Sequence, residues 1–556
     1  MHWSDRSLLN YKMKRWWIRL ISIEKVHIEG YKKFKKIDVE FNDDYTVIVG
    51  DNESGKSTIL EAIDLVLNKS IKTFDLSMLE VLLNSENKEK YYSLKNVTSL
   101  PRIVIQIFFK GMEGNPKFDY FCGSEYENSD VEHEKFGVEF IAEFDKDYLT
   151  QVSSYITSGF IPVEYYNLQT KTFGGRFYHP GLSDLVYVLV DSNSNDAPSF
   201  NSYSKKLFNQ IIDPSDKMLL NNEFNKEIST ALNNTLEKVK DKNYPTFDRD
   251  IQKSSLENVI SIYESGIPLN MKGQGMESYI KTKQIIDSKK NSTIIAIEEP
   301  ENHLSYSSML KMISLIQNNH EGKQIIVTSH SSRITSGIGL DKVLIISMQG
   351  DETIKLSNLD KKTSNYFREV PSDSLLHFVM SKKVILVEGP AEQILMDGFY
   401  RKLFNESLES NGISCISVNG LSFKHFIAIA ASMNKSVAVI TDNDGNIDAV
   451  NNLKNEYFET YNDKNRLAIF SDPDVNNRTF EICLYNSNKV YLENIIPLNS
   501  TSVYSHKYSN GNRYLGKMLN QKTDTALLIR NDENFNEKIE VPNYINEALK
   551  FIKNAE

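Results

Sequence analysis

Gly50-Asp51-Asn52-Glu53-Ser54-Gly55-Lys56-Ser57 is the stretch that decides the fold of this 556-residue chain. It fits the pattern G-x-x-x-x-G-K-[ST], in which glycines let the backbone wrap around a phosphate. A buried-strand run, Tyr45 to Val49, precedes the loop. Apolar residues recur after it at helical spacing, namely Ile59, Ile63, Val66 and Leu67. The order strand, loop, helix predicts a phosphate-binding loop in an α/β fold.

The loop residues divide the binding of a nucleotide between backbone and side chains. Backbone N–H groups and the helix N-terminus bind phosphate oxygens. Lys56 adds a positive charge at the outer phosphates, and Ser57 offers a hydroxyl to Mg²⁺. We therefore predict ATP and Mg²⁺ as cofactors here, held by Asn52, Gly55, Lys56, Ser57 and Thr58.

Two glutamates follow a second buried run, Ile294 to Ile297. At such a strand end, one carboxylate holds the Mg²⁺ water shell and another activates the attacking water. We assign Glu298 to the first role and Glu299 to the second. His330 ends the next strand, where we expect it to sense the γ-phosphate, although a histidine at a strand end is often structural.

The arrangement around these acids indicates a parallel sheet. Strands at Asn291 to Ile297 and Gln324 to Ser329 flank a helix at Tyr306 to Gln317, which is a strand–helix–strand crossover. The polar segment 168–252 is instead interpreted as an insertion with helices at Lys205 to Ile212 and Asn225 to Val239. It is either a solvated helical excursion or a dimerisation arm.

A second α/β unit begins at Lys383 to Val387. Its strand ends are acidic: Glu388 follows the first, with Glu392 one helical turn later, and Asp442 and Asp444 follow Ser436 to Thr441. The carboxyl ends of parallel strands meet at one edge of a sheet, so these carboxylates should converge. Mg²⁺ or Mn²⁺ prefers oxygen ligands of this kind.

Residues Ile23 to Ile63 resemble the opening of SMC-like and recombination-repair ABC ATPases. Those ATPases pair head to tail, with each nucleotide between a phosphate loop and a signature helix of the partner. The resemblance places the signature at Lys272-Gly273-Gln274-Gly275-Met276, with Gly273 and Gly275 facing the γ-phosphate in the other chain. It implies a homodimer or a higher homo-oligomer.

A glutamate after one strand and Asp-x-Asp after a later one resemble the Toprim fold. In the ATPase part, Glu298 to Leu304, which follows the strand Ile294 to Ile297, resembles the acidic strand end of the OLD (overcoming lysogenization defect) family. In that resemblance Glu481 is an additional metal ligand and Lys522 stabilises charge on the phosphate being transferred. Glu388, Asp442 and Asp444 are the remaining catalytic residues, with Glu392 completing the metal shell.

The resemblance as a whole implies an SMC-like ABC ATPase head with a helical insertion, followed by a Toprim domain with a parallel α/β sheet. The predicted parts are 18–167 and 253–370 for the ATPase, 168–252 for the insertion and 378–556 for the Toprim domain.

Composition agrees with a cytoplasmic protein. The three cysteines lie far apart in sequence, which argues against both a disulfide scaffold and a zinc site. No apolar run approaches the ~18–20 residues of a membrane span, so no membrane partner is expected. The net charge of −10 argues against a broad DNA coat but not against local DNA binding.

Two functions remain open at this stage. One is an ATP-gated, metal-dependent DNA endonuclease, and the other is a nucleotide-driven DNA clamp with an inactive Toprim domain. A topoisomerase would need a separate domain with a tyrosine nucleophile, for which the chain leaves no room. OLD proteins are linked with antiphage defence, so a partner protein of a defence system or the nucleic acid of a retron is a further expected partner.

Overall fold

The structure is a computed structural model that describes residues 21–68, 75–123, 135–179, 185–191, 212, 214–236, 256, 263–264, 266–268, 273–287, 293–318, 322–346, 352–356, 359–369, 373–418, 423–498 and 504–555. The chain divides into two compact units. The first contains Met1–Ser329 with Gln349–Thr353, and the second contains His330–Met348 with Ile354–Glu556. No described helix is both long enough and apolar enough to cross a membrane.

The first unit contains strands of an antiparallel and a parallel sheet. The strands are β1 (Ser22–Tyr31), β2 (Phe34–Glu40), β3 (Tyr45–Val49), β4 (Ile103–Lys110), β5 (Cys122–Gly123), β6 (Lys135–Phe144), β7 (Tyr166–Thr172), β8 (Val186–Asp191), β9 (Tyr263–Glu264), β10 (Ile267–Pro268), β11 (Thr293–Glu298) and β12 (Lys323–Ser329). The helices are α1 (Lys56–Asn68), α2 (Leu79–Leu82), α3 (Ser85–Leu94), α4 (Leu149–Ser158), α5 (Pro214–Leu236), α6 (Gln274–Asp287) and α7 (Tyr306–Asn318).

The antiparallel sheet runs in the order β2-β1-β4-β6, and β6 also pairs with β5 and β7. Its strands alternate as half-buried strands do: in β2, Phe34, Ile37 and Val39 are buried between exposed lysines and acids. The parallel strands run in the order β3-β12-β11-β8. Their central positions are apolar because both faces are covered, and β12 is buried at every position.

The predicted start of the insertion at residue 168 is wrong. Leu168 lies inside β7, which pairs with β6 from Tyr166 to Thr172. Val186 to Asp191 then forms β8, which pairs in parallel with β11. The strands of the ATPase sheets therefore continue to Asp191. The predicted helix Asn225 to Val239 overlaps α5, which begins at Pro214, while 205–211 lie outside the described residues.

The second unit is built around another parallel sheet. β13 (Val343–Ile346) and β14 (Thr353–Lys355) lie outside this sheet, whose strands are β15 (Lys383–Val387), β16 (Ile413–Ser417), β17 (Ser436–Ile440) and β18 (Leu467–Phe470). Its helices are α8 (Ser332–Ile338), α9 (Lys361–Glu369), α10 (Asp373–Met380), α11 (Pro390–Phe404), α12 (Phe423–Ser432), α13 (Ile447–Thr460), α14 (Phe480–Ser487), α15 (Lys489–Ile495), α16 (Arg513–Asn520), α17 (Lys522–Arg530), α18 (Phe535–Lys538) and α19 (Asn543–Asn554).

The sheet of this unit runs in the order β16-β15-β17-β18 with all pairs parallel. Its core joins the strands to the C-terminal helices through large buried side chains such as Phe399, Leu492 and Leu549. The second compact unit begins at His330, and the predicted domain boundary near residue 370 stays a prediction. Within this unit α8 packs on α9 and α10, and α10 packs on β16.

Candidate functional site

The phosphate loop joins the end of β3 to the start of α1, and at Gly55 it has a backbone conformation that favours glycine. Gly55 has a φ of +101°, and a Cβ built on it would lie 2.3 Å from Cζ of Phe34. A side chain at this position would therefore meet both an unfavourable backbone conformation and the Phe34 ring. The loop therefore packs closely against β2 at Gly55.

Lys56 is buried, with 5% of its surface exposed. Its ammonium donates hydrogen bonds to the carbonyl oxygens of Gly50 at 2.8 Å and Asp51 at 2.9 Å. Burial lowers the pKa of Lys56, while the nearby carboxylates, Glu299 first, raise it. A bound phosphate would supply the anionic acceptor that this buried ammonium requires. Of the other predicted loop residues, Ser57 and Thr58 are half-buried and Asn52 is exposed.

The acids after β11 lie at the same edge of the parallel sheet as the phosphate loop. Glu298 is in register with Thr328 of β12, and β12 pairs with β3. Glu299 has a φ of +43°, and its N–H donates to the carbonyl oxygen of Thr328 at 3.0 Å. Both glutamates influence the pKa of Lys56. The structure therefore brings Glu298, Glu299 and Lys56 together.

Two residues of this edge were not assigned from the sequence. Asn302 Nδ2 donates to Glu299 Oε2 at 2.8 Å, which fixes the carboxylate of Glu299. Ser329 Oγ donates to Glu301 Oε1 at 2.8 Å, which ties the turn after β11 to the end of β12. The only signals in the sequence were that Asn302 stands in the same turn as the two glutamates and that Ser329 ends the next strand.

The predicted signature lies at the start of α6. A Cβ on Gly275 would lie 2.1 Å from the carbonyl oxygen of His303, so glycine is required by close approach of two backbones. A Cβ on Gly273 would meet no atom within 4 Å, and Lys272 is outside the described residues. The role of the two glycines opposite a partner's phosphate stays a prediction. So does the role of His330, the first residue of the second unit.

The second candidate site lies at the carboxyl edge of β15 and β17, which are neighbours. Glu388 follows β15, and its Oε1 accepts hydrogen bonds from Thr441 Oγ1 at 2.5 Å and from the N–H of Asp442 at 2.8 Å. Asp442 Oδ1 in turn accepts from the N–H of Phe480 at 2.8 Å. These bonds fix both carboxylates against neighbouring backbone.

Two more acids and one lysine complete this cluster. Glu392, in the first turn of α11, is 6% exposed, and Glu481, in the first turn of α14, is 3% exposed. Lys522 begins α17, and its ammonium lies 2.9 Å from Glu481 Oε1. The structure thus brings together Glu388, Glu392, Asp442, Glu481 and Lys522, although they are far apart in the sequence.

The electrostatics of the cluster are those of an excess of buried negative charge. Burial, followed by the charges of Glu388, Glu392 and Glu481, raises the pKa of Asp442 well above its usual range. Burial raises the pKa of Glu392 to about 7, and Glu481 adds to the shift. Burial alone would lower the pKa of Lys522, but Glu481 and Asp442 raise it overall. One lysine does not neutralise four acids, so a hard cation would stabilise their ionised forms.

Asp444 differs from these acids. It is exposed, has a φ of +50°, and is not among the charges that shift the pKa of Asp442. Within the described ranges, no three His, Cys, Asp or Glu side chains already surround one point at metal-binding distance. The donor chemistry fits Mg²⁺ or Mn²⁺, and binding would need the carboxylates to rotate toward a shared position.

Asn443 is a positioning residue that the sequence did not single out. It is 2% exposed and lies between Asp442 and Asp444. Its Nδ2 donates to the carbonyl oxygens of Asp472 and Asp474, both at 2.8 Å, and its Oδ1 accepts from the N–H of Gly445. These contacts hold the Asp-x-Asp turn at the sheet edge.

A phosphate loop facing strand-end acids in one unit, and buried carboxylates at a parallel sheet edge in the other, define a P-loop ATPase joined to an acidic α/β domain. The chain belongs to the AAA ATPase domain family, whose model matches residues 22–174 and 187–335. Residues 379–444 match the model "Overcoming lysogenization defect protein-like, TOPRIM domain". These matches confirm the predicted resemblance to the OLD family and the predicted order of an ATPase head and a Toprim domain.

Curated relatives share parts of this organisation. The chain is 21% identical over 469 residues to endonuclease GajA of Bacillus cereus, covering 75% of this chain and 74% of the relative. It is 24% identical over 345 residues to an ATP/GTP phosphatase of Helicobacter pylori, covering 56% and 85%. It is 26% identical over 149 residues to the Old nuclease of Escherichia phage P2, covering 25% of this chain and 25% of the relative.

Proposed function

We propose that this protein is an ATP-dependent, divalent-metal-dependent DNA endonuclease that nicks or cuts its substrate. The observation that carries the proposal is the convergence of Glu388, Glu392, Asp442 and Glu481 with Lys522 at the carboxyl edge of β15 and β17. Four acids around one lysine, two of them buried, are unfavourable unless the site binds a cation. The similarity to two relatives named as nucleases, the Old nuclease and endonuclease GajA, also supports it.

In the ATPase unit, the proposed reaction is hydrolysis of ATP. Lys56, which now donates to two carbonyl oxygens, would bind the outer phosphates, and Ser57 and Glu298 would hold the accompanying Mg²⁺. Glu299 orients the attacking water and accepts its proton, with its carboxylate held in place by Asn302. Gly273 and Gly275 of a partner chain, with His330, complete the nucleotide site in this proposal.

In the Toprim unit, Mg²⁺ or Mn²⁺ would be held by Glu388, Asp442 and Asp444 together with Glu392 and Glu481. The bound metal supplies Lewis acidity and a water of lowered pKa for attack on a phosphodiester. The residues of the chain do the rest. The N–H of Phe480 keeps Asp442 oriented, and Lys522 is positioned beside Glu481 to stabilise negative charge on the phosphate.

DNA is therefore the proposed substrate, and a homodimer or larger homo-oligomer the proposed assembly. The resemblance to OLD proteins supports a role in antiphage defence, with a defence-system protein or retron nucleic acid as a further partner. The cytoplasm is the compartment in which such a substrate and ATP are both present.

A plasmid-nicking assay tests the proposed function. Supercoiled plasmid is incubated with the purified chain, with Mg²⁺ or Mn²⁺, and with or without ATP. Nicked or linear product that disappears in EDTA supports the nuclease. Relaxed closed product would indicate a topoisomerase instead, and unchanged plasmid would indicate a DNA clamp with an inactive Toprim domain.

A further inference from the structure

A basic cluster lies beside the carboxylate site and has no role in the proposal above. It consists of Arg478, Lys507 and Tyr508, which we call the basic rim. The guanidinium carbon of Arg478 lies 5.2 Å from the centroid of the Tyr508 ring, and the ammonium of Lys507 lies 4.4 Å from it. Both distances are those of cation–π contacts, so one aromatic ring positions two cations.

The basic rim adjoins the Asp-x-Asp turn directly. A Cβ built on Gly445 would lie 3.0 Å from the guanidinium carbon of Arg478, so this side chain packs on the turn. The carbonyl oxygen of Arg478 accepts a hydrogen bond from the N–H of Asp444 at 3.0 Å. Phe480, two residues after Arg478, donates to Asp442. Arg478 and the acidic cluster are therefore fixed to the same short segment.

The two cations lack the partner that such groups usually have. Within the described part of the chain, no carboxylate lies within ion-pair distance of Arg478 or Lys507. Lys507 is exposed, while Arg478 and Tyr508 are half-buried. Holding two like charges against one ring is unfavourable unless an anion joins them, and a phosphate suits an arginine fork beside a lysine point charge.

We propose that the basic rim binds a phosphate of the DNA strand next to the one that is cleaved. This inference rests on the proposed nuclease function and extends it to substrate positioning. Arg478 and Lys507 contact the phosphate oxygens, and Tyr508 is a positioning residue that holds the two cations. Contacts of this kind fix the register of the strand and do not read base sequence.

The test is DNA binding without cleavage. Binding of a short fluorescein-labelled duplex is measured by anisotropy in EDTA, over a range of salt concentrations. Arg478→Gln and Lys507→Gln should each weaken binding by about tenfold, as expected for loss of a charge-assisted hydrogen bond. The double variant should reduce the slope of log affinity against log salt by about 0.9, the value for one phosphate.

Matched variants separate the proposed role from a general loss of charge or fold. Lys464 lies 5.7 Å from the Phe458 ring centroid, before β18 and thus at the opposite edge of the sheet. Lys464→Gln removes the same charge from a similar contact and should leave binding unchanged. Tyr508→Phe should retain binding and Tyr508→Leu should weaken it. Thermal unfolding checks that each variant is folded.

The outcomes distinguish this inference from the proposed function. If the rim variants bind DNA like the parent chain, or if the parent chain does not bind duplex at all, the inference is wrong. If they lose affinity for ATP and not for DNA, the rim binds a nucleotide phosphate and the inference is also wrong. If they lose DNA affinity while the parent chain fails to cleave plasmid, the phosphate contact stands and the nuclease proposal falls.

Discussion

The N–H of Phe480 donates a hydrogen bond to Oδ1 of Asp442 at 2.8 Å, which joins the start of α14 to the end of β17. The bond stabilises the ionised form of Asp442 in a place where burial and three neighbouring acids oppose it. It also sets the position of Glu481, the next residue along α14. One backbone contact thus organises two of the proposed metal ligands.

The first prediction concerns Asp442. Asp442→Ala should lower DNA cleavage by orders of magnitude, because the proposed metal loses a ligand fixed between β17 and α14. ATP hydrolysis should continue, since none of the residues proposed for it belongs to the carboxylate cluster. Glu456→Ala, which removes an exposed acid from α13 of the same unit, serves as the control. Cleavage by Asp442→Ala at the parent rate would rule out this site as the nuclease.

The second prediction concerns Lys522. Lys522→Met should slow cleavage and also destabilise the second unit, because Glu481 would remain buried without its cation. Lys522 is half exposed, so we expect a loss of only about 1–2 kcal/mol in the free energy of unfolding. The double variant Lys522→Met with Glu481→Gln should recover stability but not cleavage. Full recovery of cleavage in the double variant would contradict the role of Lys522. Urea unfolding and plasmid cleavage measure the two effects.

The third prediction concerns Glu299. Glu299→Gln should retain ATP binding and abolish hydrolysis, because an amide cannot accept the proton of the attacking water. Lys56→Ala should instead abolish tight ATP binding, since it removes the charge at the outer phosphates. Binding of a fluorescent ATP analogue and release of phosphate are measured for both variants. Hydrolysis at the parent rate by Glu299→Gln would show that another residue activates the water.

The fourth prediction concerns the assembly. Light scattering of the full chain should give at least twice the monomer mass, because a composite nucleotide site needs two chains. Since β8 ends at Asp191, a deletion that tests the dimerisation arm must begin after that residue and not at 168. A variant lacking 192–252 should form smaller particles if this segment is the arm. An unchanged mass would exclude the arm while leaving pairing of the ATPase units possible.

The fifth prediction concerns pH and Lys435, a buried residue just before β17. Burial lowers the pKa of its ammonium to about 7, although it donates to the carbonyl oxygens of Phe378 at 2.7 Å and Val379 at 2.9 Å. Above that pH, Lys435 has lost its proton in the folded chain. In the unfolded chain Lys435 keeps this proton up to its ordinary pKa of 10.5. The free energy of unfolding should therefore rise with pH in this window, by up to about 1.4 kcal/mol per pH unit.

Comparison with Lys435→Met isolates this effect from other titrating groups. The difference in free energy of unfolding, parent minus variant, should favour the parent more at pH 9 than at pH 6.5. Urea unfolding at both values measures it. A difference that does not change with pH would mean that Lys435 titrates alike in the folded and unfolded chains.

The site residues that could be predicted from the sequence are those that stand in a recognisable local pattern. Lys56 and Glu388 follow apolar strand runs, so their place at a sheet edge follows from chain direction alone. Asn302 and Arg478 were missed because their contacts depend on the conformation of a turn, which spacing does not reveal. Glu481 and Lys522 came only from the family resemblance, since nothing near them in the sequence indicates that they meet.

The error at the start of the insertion has a similar cause. β7 is polar and resembles a loop, and what makes it a strand is pairing with β6, more than twenty residues earlier in the chain. β8 has an apolar run, Val186 to Val190, that does resemble a buried strand and was passed over within a polar segment. Polar composition over a long window concealed two short strands.

The close approach of Gly275 to His303 has a mechanical consequence. Because the contact is between two backbones, no side-chain rotation can absorb a displacement of the start of α6. The turn that it touches also contains Glu299 and Asn302, joined by their hydrogen bond. The start of α6 and the Glu299 carboxylate are therefore linked through this turn, and we expect a displacement of one to move the other.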